Sequence, residues 1–341
     1  MRSLKYIALS VSTLLAANLT AQDVHFSQFN LSPLTLNPAL TGGYEGTFRV
    51  GGIYRDQWAS VVQAAKFTTP SAYIDAPLVR GFGKNDWVGA GAVFLSDKSG
   101  SAQLTNQTAL LSLAYHLGLG KKGNSTLAFG VQGGIVQKKF DRTLLLGEDG
   151  ILQGKTVGTS DVFAQTNTSY PDFSAGLNFT STLSSKVNFN IGASMAHLLT
   201  PRETFVSKTE SNEKLARRVA VTAGANIDFG QKMVLMPSIM YLNQAKASQI
   251  NVQSLLGYHL NAARDITALA GLGYRATNAD AIFPMVGMLY KGLKVGVAYD
   301  INAAGLNQYS GGNGGYEIGV SYIARISRIP VVKPVLFCPR F

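Results

Sequence analysis

The chain has 341 residues, of which 46% are hydrophobic and 14% charged, with 36 glycines and one cysteine. Average proteins carry about 25% charged residues and about 7% glycine. This composition excludes a charge-rich disordered chain and disfavours a helical domain, in which glycine is costly. A single cysteine excludes a disulfide framework and a cysteine-based metal site. The formal charge is +11, but the basic residues are spread along the chain, which argues against a nucleic-acid partner.

Residues 1–21 have the pattern of a secretory signal peptide. Arg2 and Lys5 give a positive start, residues 6–17 are mostly apolar and uncharged, and Ala21 is a small residue before Gln22. These are the n-region, the h-region and the cleavage site of such a peptide. An N-terminal anchor helix is disfavoured because the apolar run is shorter than the ~20 residues of a membrane span. We therefore predict cleavage near Ala21.

Residues 22–46 form a segment that is not predicted to be a strand. Pro33 and the pair Asn37-Pro38 interrupt it, and proline cannot donate to a sheet ladder. The segment is nevertheless too apolar to lie free in water. We predict that it packs at or in the mouth of the domain that follows.

Residues 47–326 show alternation with period two. Val187, Phe189 and Ile191, for example, alternate with Asn188 and Asn190, as expected for strands with two different faces. The polar face carries mostly Gly, Ser, Asn and Gln rather than the Lys and Glu of a soluble sheet, which suits a crowded, wet lumen. Aromatic residues that recur at strand ends are typical of a membrane-interface girdle; the candidates are Trp87, Tyr115, Tyr274, Tyr290, Tyr299, Tyr316 and Tyr322.

The alternation predicts about fourteen strands, most of them close to the 9–11 residues of a tilted membrane strand. Their expected spans are 47–57, 67–77, 86–96, 103–117, 125–138, 171–180, 186–198, 216–229, 231–241, 247–259, 265–275, 281–290, 292–300 and 315–326. The three longest connections (139–170, 199–215 and 301–314) then fall at one end, as in outer-membrane barrels with short periplasmic turns. We predict an all-β transmembrane antiparallel β-barrel over residues 47–326, with both termini periplasmic.

A fourteen-stranded barrel encloses more space than its own side chains fill. The candidates to fill it are residues 22–46, the long connection 139–170 and a polypeptide of a partner. Residues 327–341, which contain three prolines, are predicted to be an extended docking tail or, alternatively, a tail folded on its own barrel.

The basic residues of the predicted lumen allow two interpretations. Arg49 and Arg55 share one strand face, and Arg275 and Arg325 lie on polar faces. Inward arginines could bind an acidic cargo segment or select anions, or they could pair with the lumenal acids Asp75, Asp300 and Glu317. The four histidines show no convergent motif of the kind that catalysis requires. We predict no enzymatic activity, no catalytic residues, no cofactor and no metal site.

The residues around the predicted first strand resemble a known family. The segments 22–29 (QDVHFSQF), 33–42 (PLTLNPALTG), 48–50 (FRV) and 54–58 (YRDQW) are similar to the mature N-terminus and first strand of the PorP/SprF family, outer-membrane proteins associated with type IX secretion. The resemblance marks a candidate packing or partner segment, which comprises Phe26, Gln28, Phe29, Pro33, Asn37, Pro38, Arg49, Tyr54, Arg55 and Trp58.

This resemblance implies an outer-membrane protein of a Gram-negative bacterium that serves protein secretion and gliding motility. It implies a non-catalytic barrel that binds and anchors a secreted surface protein, an adhesin, through its C-terminal secretion domain. Other type IX secretion components and outer-membrane lipid are the further expected partners. The final residues 338–341 (CPRF) resemble the branch that partners adhesins. The alternatives are a core secretion-apparatus barrel linked to the periplasmic motor ring and a passive solute channel.

Overall fold

The computed structural model describes residues 23–326 except for 59–65, 81–84, 101, 121–123, 145–165, 204, 206–213, 262–264, 277–280 and 304–309. The predicted signal peptide (1–21) and C-terminal tail (327–341) lie outside the described residues, as does most of the connection 139–170.

Fourteen antiparallel strands form one closed barrel, in which each strand pairs with its neighbours in sequence and β1 pairs with β14. The predicted fold class is therefore confirmed. The strands are β1 Phe48–Gln57, β2 Phe67–Arg80, β3 Trp87–Ser99, β4 Leu104–Leu119, β5 Ser125–Lys139, β6 Asn167–Ser184, β7 Val187–Ala196, β8 Arg218–Phe229, β9 Met233–Gln244, β10 Ala247–Asn261, β11 Ile266–Arg275, β12 Ala281–Tyr290, β13 Leu293–Asn302 and β14 Asn313–Ala324.

The strand bounds agree with the alternation to within a few residues, and β6 shows the largest difference. The sequence predicts 171–180, whereas the strand extends over Asn167–Ser184. Its first residues are polar and include Pro171, so they lack the apolar alternation. These residues nevertheless belong to the strand because they continue its pairing with β5, in which Asn167 pairs with Lys139 and Pro171 pairs with Ile135.

The two faces of the wall have opposite character. Outward side chains such as Leu111, Val131 and Val286 are 59–71% exposed, while inward side chains such as Ser112 and Gln132 are buried. An apolar exterior around a polar interior is the arrangement of a barrel in lipid, where closure satisfies every strand edge.

The barrel has two unlike ends. At the turn end, where β1 begins and β14 ends, the connections are short: 81–86, 120–124, 185–186, 230–232, 262–265 and 291–292. The opposite loop end has the connections 58–66, 100–103, 140–166, 197–217, 245–246, 276–280 and 303–312. The three longest connections are therefore all at the loop end.

The candidate girdle divides into outward tyrosines and one inward tryptophan. The outward side chains, each 38–41% exposed, are Tyr115, Tyr274, Tyr290, Tyr299, Tyr316 and Tyr322. The expectation for Trp87 is wrong, because its ring stacks on His116 at 4.5 Å and its Nε1 donates to the Gly42 carbonyl at 2.9 Å. Trp87 has the parity of Gly89 and Gly91, which face the lumen.

The helical segments are short. Among the described residues they are α1 (Pro33–Leu36) and single 3₁₀ turns at Phe29–Leu31, Pro38–Leu40 and Arg142–Leu144. Over the described ranges, no helix has the length and apolar character needed to cross a membrane.

Candidate functional site

The lumen is occupied by residues 23–46, which we call the plug. Its apolar side chains are nearly inaccessible: Phe26, Phe29, Leu31 and Leu34 are each at most 4% exposed. Phe29 packs with Met240 of β9, and Leu34 packs with Tyr73 and Val93 of β2 and β3. The plug therefore contacts opposite parts of the wall and fills the space between them.

The wall accommodates the plug through small residues. Asn37 caps the turn Pro38–Leu40, since its Oδ1 accepts from the Ala39 amide at 2.9 Å, and its Nδ2 donates to a β6 carbonyl at the same distance. A side chain on Gly130 would lie 2.2 Å from the Ala39 nitrogen, and one on Gly176 would lie 2.0 Å from the Asn37 Oδ1. Glycine is required at Gly130 because the plug backbone approaches the wall so closely, whereas a side chain on Gly176 would collide with the side chain of Asn37.

Four charged side chains of the wall form a buried cluster, which we call the Arg–acid cluster: Arg55, Arg275, Asp300 and Glu317. Arg55 and Arg275 each donate to the Oδ2 of Asp300 at 2.7 Å, and Arg55 also pairs with Glu317. None of the four side chains is more than 5% exposed. Two cations and two carboxylates leave the cluster without net charge, which is the condition for burying ions at acceptable cost.

The Arg–acid cluster binds the plug directly. The amides of Ser27 and Gln28 donate to the two oxygens of Glu317 at 2.7 and 2.8 Å. The Ser27 hydroxyl donates to Asp300 at 2.8 Å and accepts from Arg275 at 2.7 Å. Backbone amides that would otherwise be buried without a partner are thus satisfied by a wall carboxylate. The cluster therefore serves to hold the plug.

Arg49 makes a second attachment nearer the turn end. Its Nε and Nη2 donate to the two oxygens of Asp75 at 2.9 and 2.8 Å, a bidentate pair. The same Nη2 donates to the Leu40 carbonyl at 3.1 Å, and the Gly42 amide donates to Asp75 at 2.7 Å. This pair therefore fixes the last turn of the plug.

The first described residue of the plug, Asp23, lies at the loop end. Its Oδ2 is 2.6 Å from His197 Nε2 and 3.3 Å from Arg218 Nη1. The other ring nitrogen of His197 is 2.9 Å from Asp172. His197 has a φ of 58°, a strained conformation for a non-glycine residue that persists only where the surroundings enforce it.

Charge and burial oppose one another at this third attachment. Burial lowers the pKa of His197, but the contacts with Asp172 and Asp23 outweigh burial and raise it to about 9. Burial raises the pKa of Asp23, but Arg218 and His197 hold it well below its ordinary value. A charged imidazolium between two carboxylates therefore holds the start of the plug at neutral pH.

The structure distributes the sequence-predicted site residues over five places. Those buried in the plug are Phe26, Gln28, Phe29, Pro33, Asn37 and Pro38, and those paired with lumenal acids are Arg49, Arg55 and Arg275. Tyr54 packs near Tyr316 on the outer face, and Trp58 meets Phe67 edge-on at the loop end. Arg325 follows β14 and is exposed at the turn end.

The attachment of Asp23 and His197 was missed by sequence reasoning. The one available signal is the parity of Asp172, which places a carboxylate inward on β6.

Polar side chains that could support catalysis are used for packing. His116 Nε2 lies 2.7 Å from the Thr41 carbonyl, and Ser112 contacts the Thr41 hydroxyl. Among the residues that the structure describes, no group of three or more His, Cys, Asp or Glu side chains is placed to hold a metal ion.

Comparison with protein families decides the identity of this plugged barrel. The family described as "Type IX secretion system membrane protein PorP/SprF" matches residues 18–322, which is most of the chain. The chain belongs to the PorP/SprF family. The family and fold are those of a secretion or transport barrel, and the expected association with type IX secretion is confirmed. No relative with a curated description matches the chain.

Solved structures similar to this PorP/SprF protein are outer-membrane barrels. The "CymD monoaromatic hydrocarbon channel" is 12% identical, with 87% of this chain and 93% of that chain covered and a TM-score of 0.51. The Ralstonia pickettii toluene transporter TbuX is 11% identical, with 87% and 94% covered and a TM-score of 0.49. At such identities the likeness concerns the fold alone.

Proposed function

We propose that this PorP/SprF barrel is a non-catalytic receptor that binds a secreted surface protein, an adhesin, through its C-terminal secretion domain and anchors it in the outer membrane. The observation that carries the proposal is the filled lumen. Residues 23–46 are held by three charged attachments to the wall, and a closed lumen suits a holding protein better than a solute channel. The surface that remains for binding is then the exterior of one end.

We assign cargo binding to the loop end. In this proposal the signal peptide (1–21) is removed, the turn end with both termini faces the periplasm, and the loop end faces outward. Strands β4, β5 and β6 extend further toward the loop end than β7, which stops at Ala196. Since a membrane strand needs about 9–11 residues, the upper part of the 18-residue β6 extends beyond the apolar band.

This extension presents a strand edge. The last backbone hydrogen bond between β6 and the segment after β7 joins the Leu198 amide to the Phe173 carbonyl. Closer to the start of β6, the contact is made by side chains, the Tyr170 hydroxyl donating to Glu203 at 3.3 Å. Within the described residues, no backbone ladder covers residues 167–172 on that side. Ser169 and Pro171 have the same parity as Phe173, so their backbone groups point to this edge. Unpaired edges accept an extended strand from another protein, and a β-rich secretion domain supplies such strands.

A proline substitution tests the edge directly. Ser169→Pro removes the free amide that an added strand would use, and Pro171 shows that this edge tolerates proline. Ser169→Ala keeps the amide and is the matched control. Tagged protein is purified from detergent extracts of the native cell, and co-purified proteins are identified by mass spectrometry. We expect a large surface protein to co-purify with wild type and with S169A. With S169P, the amount of that protein should fall by tenfold or more.

Two outcomes would contradict the proposal. Recovery of motor-ring components without a surface protein would assign the barrel to the core apparatus. Conductance of the wild-type protein in liposomes, equal to that of a variant lacking residues 23–40, would show that the plug does not close the lumen and would support a solute channel.

A further inference from the structure

A cavity of about 850 Å³ lies at the turn end, on the opposite side of the plug from the proposed cargo edge. The plug residues Asn30 and Leu31 line it, together with the turn 291–292 and the ends of neighbouring strands. Its volume is within the range of about 300–1,000 Å³ that ligand sites occupy.

The charged side chains of this turn-end cavity are unbalanced. In the described part of the chain, Lys291, Lys294 and Arg325 line it, against one carboxylate, that of Asp265. Arg49 also lines the cavity, but Asp75 neutralises it at 2.8 Å. An excess of positive charge in a partly enclosed space attracts anions.

Lys294 is the distinctive member of this set. It lies on β13 with the parity of Gly296 and Ala298, whose positions face the plug. No carboxylate of the described residues is within ion-pairing distance of its ammonium group. Arg55, Arg275 and Arg218, in contrast, each have a carboxylate partner in the lumen. Lys294 therefore has no carboxylate of the described residues to offset the cost of burying its ammonium group, and an anionic group in the cavity would supply that partner.

We propose that the turn-end cavity binds an acidic peptide segment of a partner protein, with Lys294 as its inner anchor. The apolar part of the lining, which includes Leu31, Leu289 and Leu293, suits a segment that mixes carboxylate and apolar side chains better than a bare inorganic anion. Residues 327–341 of the same chain contain Arg328, Lys333 and Arg340 and no acidic residue. Their charge opposes entry into the cavity. The site is separate from the cargo edge, so neither proposal depends on the other.

Peptide binding to the detergent-solubilised full chain tests this proposal. The probe is a short fluorescein-labelled peptide of alternating glutamate and leucine, and the comparison peptide has glutamine in place of glutamate. We expect the acidic peptide to bind and to weaken with added salt. Lys294→Gln should weaken it about tenfold or more, the loss of a charge-assisted contact. The control Lys186→Gln removes a charge from another turn at the same end and should change affinity by less than about twofold.

Three outcomes would overturn the proposal. They are equal binding of the two peptides, equal weakening by K294Q and K186Q, and displacement of the acidic peptide by inorganic phosphate at equal concentration. Because Lys294 has no ion-pair partner to lose, K294Q should keep the thermal stability of wild type, and this measurement verifies that the variant is folded.

Discussion

Replacing Glu317 by glutamine should release the part of the plug that contains Ser27 and Gln28. Glu317 is 1% exposed, accepts both plug amides and pairs with Arg55. Glutamine keeps the shape but has one acceptor oxygen and no charge, so one amide loses its partner and Arg55 loses one of its two carboxylates. Removal of one partner of a buried ion pair costs about 3–5 kcal/mol. At about 1.4 kcal/mol per tenfold, the lower bound of this range already raises the population of the released plug by about 100-fold.

Hydrogen–deuterium exchange of the protein in lipid nanodiscs, read by mass spectrometry, measures this release. A peptide that contains residues 26–29 should exchange about 100-fold faster in E317Q than in wild type. Glu45→Gln, which changes an exposed carboxylate of the same plug, should leave exchange unaltered. If E317Q forms the intact barrel but exchanges within about threefold of wild type at Ser27 and Gln28, the Arg–acid cluster does not hold the plug and the reasoning fails.

Two further predictions concern the attachment of Asp23 to His197 and the close packing of the plug against Gly130. The pKa of His197 is raised above its ordinary 6.5 to about 9. The contribution of His197 to stability is therefore complete below pH 6.5 and is lost as the pH rises through 9. Thermal unfolding should show that the stability of wild type falls between pH 7 and 10, and that the His197→Gln variant lacks this fall. Gly130→Ala places a methyl group 2.2 Å from the Ala39 nitrogen, which should cost about 1–3 kcal/mol and raise conductance in planar bilayers.

The controls for these two predictions use another histidine and the residue next to Gly130. His259 contacts Thr267 at 2.7 Å and does not touch the plug residue Asp23. The dependence of stability on pH in H259Q should therefore match that of wild type. Val131 is 59% exposed on the lipid face, so V131A should leave conductance at the wild-type level. A wild-type pH profile in H197Q, or unchanged conductance in G130A, would contradict the corresponding prediction.

The barrel could be predicted from the sequence because a membrane wall repeats one rule at every position. Outward residues such as Val131 must be apolar and inward residues such as Gln132 must suit the lumen, so period two marks each strand. The rule fails where a strand leaves the membrane. Asn167 to Ser169 are strand through pairing with β5, and their polar side chains carry no signature of the apolar band.

The plug attachments were harder to predict because they join residues that are distant in sequence. The alternation along each strand places Arg55, Asp300 and Glu317 in the lumen. From the sequence, pairing of the arginine with these acids was one of two interpretations, and binding of an acidic segment or an anion was the other. The hydrogen bonds from the amides of Ser27 and Gln28 to Glu317 form because of the path that the plug takes through the lumen. No periodic pattern in the sequence encodes that path. Trp87 shows the related error, since an aromatic residue at a strand end belongs to a girdle only if its parity is outward.

The sequence separation between the plug and its wall has a consequence for biogenesis. Ser27 and Glu317 are 290 positions apart, and Glu317 belongs to the last strand, which closes the cylinder against the first. Ser27 and Gln28 therefore meet their final partner only after nearly the whole chain has been inserted. Occlusion of the interior thus becomes a checkpoint of completed assembly, because a half-built cylinder leaves the buried groups of the plug without these partners.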